Sequence, residues 1–231
     1  MCRVRTLTRI AAAGVMAVLT VATAACTGSE SPSTQPGTAR ASSAVSAPSS
    51  AAKPVDDGVT TTAEVFGPAC AQLPQGDAPG SLTATAAQPV ASAVAASPLL
   101  TTLASAVGSV PGLADSLDAQ QGVTVLAPAD PAFVALREQI GQAVFGALLA
   151  DPNKLAALLE YHVSGTRYDA ASLVAAGTVT ELTGGTLKIG GTAAAPTITD
   201  GKGATANVLC GNIPTRNATV FVIDRVLTPA S

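Results

Sequence analysis

The chain has 231 residues, of which 48% are hydrophobic, 12% charged and only 3% aromatic, with a formal net charge of −3. The acidic balance, which deepens to about −6 once three N-terminal arginines are removed, disfavours nucleic acid and anionic membrane surfaces as partners. Two tyrosines, four phenylalanines and no tryptophan leave little for stacking on bases or sugars.

The first element is an export leader. Arg3, Arg5 and Arg9 precede the apolar run from Ile10 to Val21, and small residues follow, ending Thr23-Ala24-Ala25-Cys26. The run falls short of the roughly 20 apolar residues that a membrane-spanning helix needs, so residues 1–25 read as a cleaved signal. Two cleavage readings stand. Cys26 after Ala24-Ala25 fits a lipobox, in which the cysteine takes a diacylglyceryl group and becomes the mature N-terminus, although Thr23 stands where Leu is usual. The alternative is ordinary cleavage after Ala22-Thr23-Ala24, which releases an unlipidated protein. Cysteine arithmetic favours lipidation: Cys2 leaves with the leader, and if Cys26 carries lipid, Cys70 and Cys210 are left to pair. Such a bridge would remove denatured-state entropy worth about 5 kcal/mol. Isolated cysteines and a single histidine imply no metal site, and no motif implies a cofactor.

Residues 26–65 read as a tether. From Thr27 to Ala63 the chain is mostly Ser, Thr, Ala, Pro and Gly, a composition that cannot bury enough surface to offset the entropy of ordering it. A flexible segment of that length spans roughly 35 Å, and about 130 Å when extended. Thr60, Thr61 and Thr62, beside Asp56-Asp57, form a candidate O-glycosylation patch or simply part of a polar linker.

Residues 66–231 amount to one domain, long enough to bury about 70% of its unfolded surface. Helical spacing appears at Leu99, Leu100, Leu103 and Val107; at Leu113 and Leu117; at Ile140, Val144 and Leu148; and at Leu155, Leu158 and Leu159. Ser97-Pro98, Asp151-Pro152 and Asp169 read as helix starts, and Asp130 as the cap of the helix holding Phe133 and Leu136. After Gly177 the pattern changes. Val179 to Leu182, Gly184-Gly185 and Thr186 to Ile189 predict a hairpin, followed by strands at Thr197 to Thr199, Asn207 to Cys210 and Val220 to Leu227. With one early strand at Thr124 to Ala127, the expectation is a single α+β domain with several short helices. Asn217-Ala218-Thr219 is formally an N-glycosylation sequon, at the start of a core strand.

Three segments carry a resemblance: Thr124 to Phe133 (TVLAPADPAF), Tyr161-His162, and Val222 to Leu227 (VIDRVL). In this order and spacing they resemble the fasciclin domain, over roughly Phe66 to Ser231. Together with Cys70, Cys210 and the leader, the chain looks most like mycobacterial surface lipoproteins and secreted antigens built from one such domain. The resemblance further implies a β-sandwich or wedge, with a buried strand running into a helix, a Tyr-His pair closing a later helix, and a final core strand. In animal members, adhesion to integrins is attributed to the Tyr-His region and to an Asp-Ile pair shortly before the last strand. Tyr161 and His162 match the first; Asn212 and Ile213 stand at the second, so the acidic residue is missing. Tyr161 and His162 equally fit a structural role at a helix end.

Catalytic motifs are absent: there is no Gly-x-Ser-x-Gly elbow, Walker loop or His-Glu-x-x-His. The expectation is a non-enzymatic, lipid-anchored protein on the extracytoplasmic face of the cell membrane or in the wall. Its domain would mediate adhesion to a host-cell or matrix protein, or to another envelope protein. The competing expectation is a binding protein for a small apolar ligand or envelope lipid, in a cleft between helices and sheet.

Overall fold

The computed structural model describes residues 57–230; the leader of residues 1–25, Cys26 and most of the tether lie outside the described residues. Ordered packing begins earlier than the expected boundary at residue 66. The Gly58 carbonyl accepts the Thr219 hydroxyl at 2.7 Å, Thr60 is buried, and short 3-10 turns occupy Thr62–Glu64 and Pro68–Gln72. The backbone of this segment is held by single bonds from distant side chains, Thr219 to the Gly58 carbonyl and Asn212 to the Glu64 carbonyl, which composition does not reveal.

Four short helices follow: α1 (Leu82–Ala87), α2 (Val90–Ala96), α3 (Thr101–Ser109) and α4 (Leu113–Ala119). Strand β1 (Val123–Pro128) leads into α5 (Asp130–Ile140), α6 (Gln142–Ala150) and α7 (Pro152–Glu160). After β2 (Val163–Ser164) and α8 (Ala170–Ala176), the rest is strand: β3 (Thr178–Thr180), β4 (Thr186–Thr192), β5 (Ala195–Thr199), β6 (Thr205–Pro214) and β7 (Ala218–Ile223). This is an α+β fold.

The sheet order is β2-β1-β7-β6-β5-β4-β3, with β1 parallel to β7 and the other neighbours antiparallel. The two outer strands nearly meet. Ser164 bridges Glu181, and the Leu182 N–H donates to the Val163 carbonyl at 2.8 Å, so the sheet almost closes on itself. Strands β1 and β7 are buried along their whole length, as expected for a parallel pair covered on both faces. Their side chains divide with period two. Val123, Val125, Ala127, Val220 and Val222 join the core beneath the helices, whereas Leu126, Phe221 and Ile223 join a second core with Leu173, Leu187 and Ile198.

Several local expectations are corrected. The Ile140–Val144–Leu148 stripe is two helices, broken at Gly141, whose φ of 85° lies where a side chain would be strained. Ser97-Pro98 starts no helix; it links α2 to α3, which begins at Thr101. Asp130 is the first residue of α5 and instead caps α3, its carboxylate accepting from Thr102 N at 2.7 Å and from the Thr101 hydroxyl at 2.8 Å. Burial alone would raise the Asp130 carboxyl, but these bonds outweigh it and hold it below 3.8. Strand β7 stops at Ile223, because Asp224 turns to clamp Asn207, accepting from its N–H at 2.8 Å and its side-chain amide at 2.7 Å. Asp151 and Asp169 do cap α7 and α8, through Asn153 N, Lys154 N and Ser172 N.

Candidate functional site

Tyr161 and His162 close α7 and point inward, both buried. The Tyr161 hydroxyl accepts the Gly201 N–H at 3.0 Å, tying α7 to the turn between β5 and β6. His162 Nδ1 lies 2.7 Å from the Leu158 carbonyl, while Nε2 accepts the Leu227 N–H at 2.9 Å. A carbonyl on one side and an N–H on the other fix the neutral Nδ1–H tautomer. Burial pushes His162 down to about 4, against opposing pulls from the Leu158 carbonyl and from Asp200. With both ring nitrogens committed to backbone, this histidine has no nucleophile to activate. It staples α7 to the chain after β7.

Asn212 and Ile213 are also buried, which corrects their expected place, with Tyr161 and His162, on a contact surface. Asn212 sits in a register shift of β6 at φ 58°, a conformation that its short amide side chain tolerates. That amide accepts the Ala170 N–H at 2.8 Å and donates to the Glu64 carbonyl at 3.2 Å, joining the start of α8 to the N-terminal segment. Ile213 packs in the core beneath the helices. Four sequence-derived interaction residues are therefore fastenings of the fold.

Cys70 and Cys210 form a disulfide, pinning the turn at Pro68–Gln72 to β6 across 140 residues. Thr60, in the expected glycosylation patch, is buried, and the Thr61 hydroxyl donates to Glu64 at 2.8 Å; Thr62 alone of the three is exposed and outside such a bond. Asn217 of the sequon is buried as well. Its carbonyl oxygen accepts Val90 N–H at 2.9 Å and its amide donates to the carbonyls of Leu117 and Gln120 at 2.9 and 3.1 Å, leaving nothing for a sugar.

Sequence reading missed Glu181. At 3% exposure it lies at the seam where β2 and β3 meet, and neither carboxylate oxygen has a hydrogen-bond partner. Burial pushes its carboxyl up to about 7, only partly offset by its own N–H. A Cβ at Gly185 would come within 2.7 Å of a Glu181 oxygen and 2.8 Å of the Tyr161 ring, so a glycine turn lets the chain close over both. Nothing in the sequence marks this glutamate, because its burial comes from the pairing of strands far apart in the chain.

Among the described residues, two cavities between helices and sheet are too small for a ligand: they hold about 20 and 30 Å³, room for roughly one water each. The open apolar space is outside. Helix α6, Gln142-Ala143-Val144-Phe145-Gly146-Ala147-Leu148-Leu149-Ala150, is apolar apart from Gln142; Phe145 and Leu148 are half-buried against the core, no residue is fully buried, and Val144 is 58% exposed, Leu149 38%, and Val134 on neighbouring α5 44%. Such a helix ordinarily lies inside a protein, and its composition was a legible signal. Beside it a surface groove of about 420 Å³ runs between α5, α6, α7 and residues 228–230. Among the described residues, no three His, Cys, Asp or Glu side chains are grouped to hold a metal ion, and no helix is long and apolar enough to cross a membrane.

The strand running into a helix, the inward Tyr-His pair and the nearly closed sheet define a class, and a fasciclin-domain family model matches residues 98–229: the chain belongs to the fasciclin domain family. It is 31% identical to the cell surface glycolipoprotein MPB83 of Mycobacterium bovis, over 95% of each chain, and to MPT83 of Mycobacterium tuberculosis to the same extent. It is also 31% identical to the immunogenic protein MPB70 of M. bovis, over 72% of this chain and 83% of that one. A FAS1 domain pair from the insect cell adhesion molecule Fasciclin I shares the fold, with a TM-score of 0.54 and 16% identity over 61% of this chain and 51% of that one.

Proposed function

We propose that this chain is an exported envelope protein, acylated at Cys26, whose single fasciclin domain is held off the membrane by its tether and acts as a non-enzymatic interaction module at the cell surface. The leader and Cys26 support the anchoring, and the names of the mycobacterial relatives support the location. The partner is a protein of the host cell, of the matrix or of the envelope itself. The observation that carries the reading is α6: a helix apolar apart from Gln142, which seats Phe145 and Leu148 on the core yet leaves Val144 and Leu149 to solvent. Contact passes through the α5–α6 face, with Val134, Val144 and Leu149 as the apolar centre.

The test compares cell and matrix binding of the wild-type chain with Val144→Gln/Leu149→Gln. Binding is expected to fall at least tenfold at unchanged thermal stability, and equal binding would refute the assignment of this face. Intact mass of the protein from its native membrane checks the anchor: a diacyl or triacyl mass on Cys26 is expected, and an unmodified chain beginning at Ala25 would exclude it. The competing reading, a binding protein for a small apolar ligand, has the surface groove rather than the interior to use.

A further inference from the structure

The geometry points to a specific ligand chemistry for that groove: a single-chain anionic amphiphile of the fatty-acid type, its chain lying on Leu136, Ile140, Leu148 and Leu158 and its carboxylate meeting Lys202 and Lys154. The inference deepens the ligand-binding reading of the domain and uses none of the residues proposed for protein contact, Val134, Val144 and Leu149.

Three observations carry it. The groove's volume of about 420 Å³ falls in the range of roughly 300 to 1,000 Å³ typical of small-molecule sites, and its floor is made of aliphatic side chains from three helices. Among the described residues, the charged side chains lining it, Lys154 and Lys202, are both cationic in a protein whose net charge is negative, so an anionic head group finds complementary charge here. Lys154 pairs with Asp151 at 3.2 Å, but its side chain is 73% exposed, and an exposed pair of that kind contributes little and exchanges readily. Lys202 enters no ion pair among the described residues.

The third observation is that the groove is built rather than incidental. Its far wall, residues 228–230, is held by two fastenings: Asp200 accepts the N–H and hydroxyl of Thr228 at 2.9 and 2.8 Å, and His162 accepts the N–H of Leu227. The same histidine bonds the carbonyl of Leu158, whose side chain lies on the floor. One buried imidazole thus ties the helix that carries part of the floor to the segment that leads into the wall. A chain lying there meets a preorganised surface and orders little protein on binding.

The test titrates dodecanoate, and neutral dodecanol as the control, into the full chain carrying Cys26→Ser, so that no acyl group of its own competes. One saturable dodecanoate site per chain is expected. Lys154→Gln/Lys202→Gln should weaken dodecanoate about tenfold, the worth of one charge-assisted hydrogen bond, and leave dodecanol unchanged. Ala157→Phe, a substitution at an exposed groove position on α7, should block both ligands at unchanged stability while sparing cell binding through Val144 and Leu149. Equal dodecanoate binding by the wild-type and Ala157→Phe chains, or no loss in the lysine variant, would overturn the proposal. So would sedimentation with phosphatidylglycerol vesicles without saturable dodecanoate binding, which would make the groove a bilayer-docking face.

Discussion

Replacing Glu181 by Gln removes a buried titratable carboxyl at the sheet's seam without changing the side chain's shape, and should expose a second titration that the wild-type protein conceals. Glu181 binds its proton more tightly when folded, its carboxyl moving from 4.5 to about 7; its stabilising contribution is therefore complete below pH 4.5 and is lost as pH rises through about 7. His162 behaves in the opposite sense. Its ring moves from 6.5 to about 4 on folding, so its contribution is complete above pH 6.5 and is lost as pH falls toward about 4. Each shift corresponds to roughly 3 kcal/mol. Screening by water at the short turn over Glu181 brings its expected share to about 2 kcal/mol. Between pH 4.5 and 6.5 the two slopes oppose each other, and the wild-type stability should change by less than about 1 kcal/mol. In Glu181→Gln the histidine is unopposed. Urea unfolding followed by far-UV circular dichroism, with the disulfide intact, should show the variant about 2 to 3 kcal/mol more stable at about pH 7.5 than at about pH 4.5. At the acid end variant and wild type should coincide, because neutral Glu and Gln are nearly equivalent there. Asp130 and Asp200, whose carboxyls are held below 3.8, titrate beneath this window in both proteins. Parallel curves for the two proteins across the whole range would refute the assignment of Glu181 as a buried, protonated seam residue.

The other predictions concern fastenings. Cys70→Ser/Cys210→Ser, which opens a loop of 140 residues, should cost about 3 to 5 kcal/mol in urea unfolding, and no loss would mean that the denatured chain is already constrained. Asn217→Ala leaves the Val90 N–H and three carbonyls around a buried void; about 3 kcal/mol of destabilisation is expected by thermal unfolding. Asp130→Ala uncaps α3 and should cost about 1 to 2 kcal/mol, with faster amide exchange at Thr101 and Thr102 as the local readout.

Periodicity made the long-range architecture legible: helices early, strands late, and one early strand whose six residues are all buried. The cap at Asp151 followed from local chemistry, since an aspartate before proline has few better uses. Asp130 misled for the same reason. It stands one residue inside α5, and the neighbouring helix α3 offered unpaired N–H groups that sequence adjacency cannot show. The site was legible only as a set of unusual residues. Tyr161, His162 and Asn212 stand out in sequence, but their direction depends on partners 40, 65 and 42 residues away, at Gly201, Leu227 and Ala170. Glu181 has no side-chain partner at all and could not be found by any pairing argument.

The inward direction of the family's marks changes how loss-of-function data on such a domain must be read. Tyr161 holds the β5–β6 turn, His162 holds the segment after β7, and Asp200 holds both that turn, through Lys202 N and Ala204 N, and the segment, through Thr228. Substituting any of them removes a buried hydrogen bond and shifts the wall of the surface groove together with the stability of the sheet. Lost binding after such a change therefore does not mark a contact residue. Val144, Leu149 and Ala157 are different: they are exposed, and they lie on helices whose packing depends on other side chains. Their side chains can therefore be changed at little cost to the fold. A variant that loses binding at these positions, at unchanged stability, separates contact from scaffold in a way that changes at Tyr161 and His162 cannot.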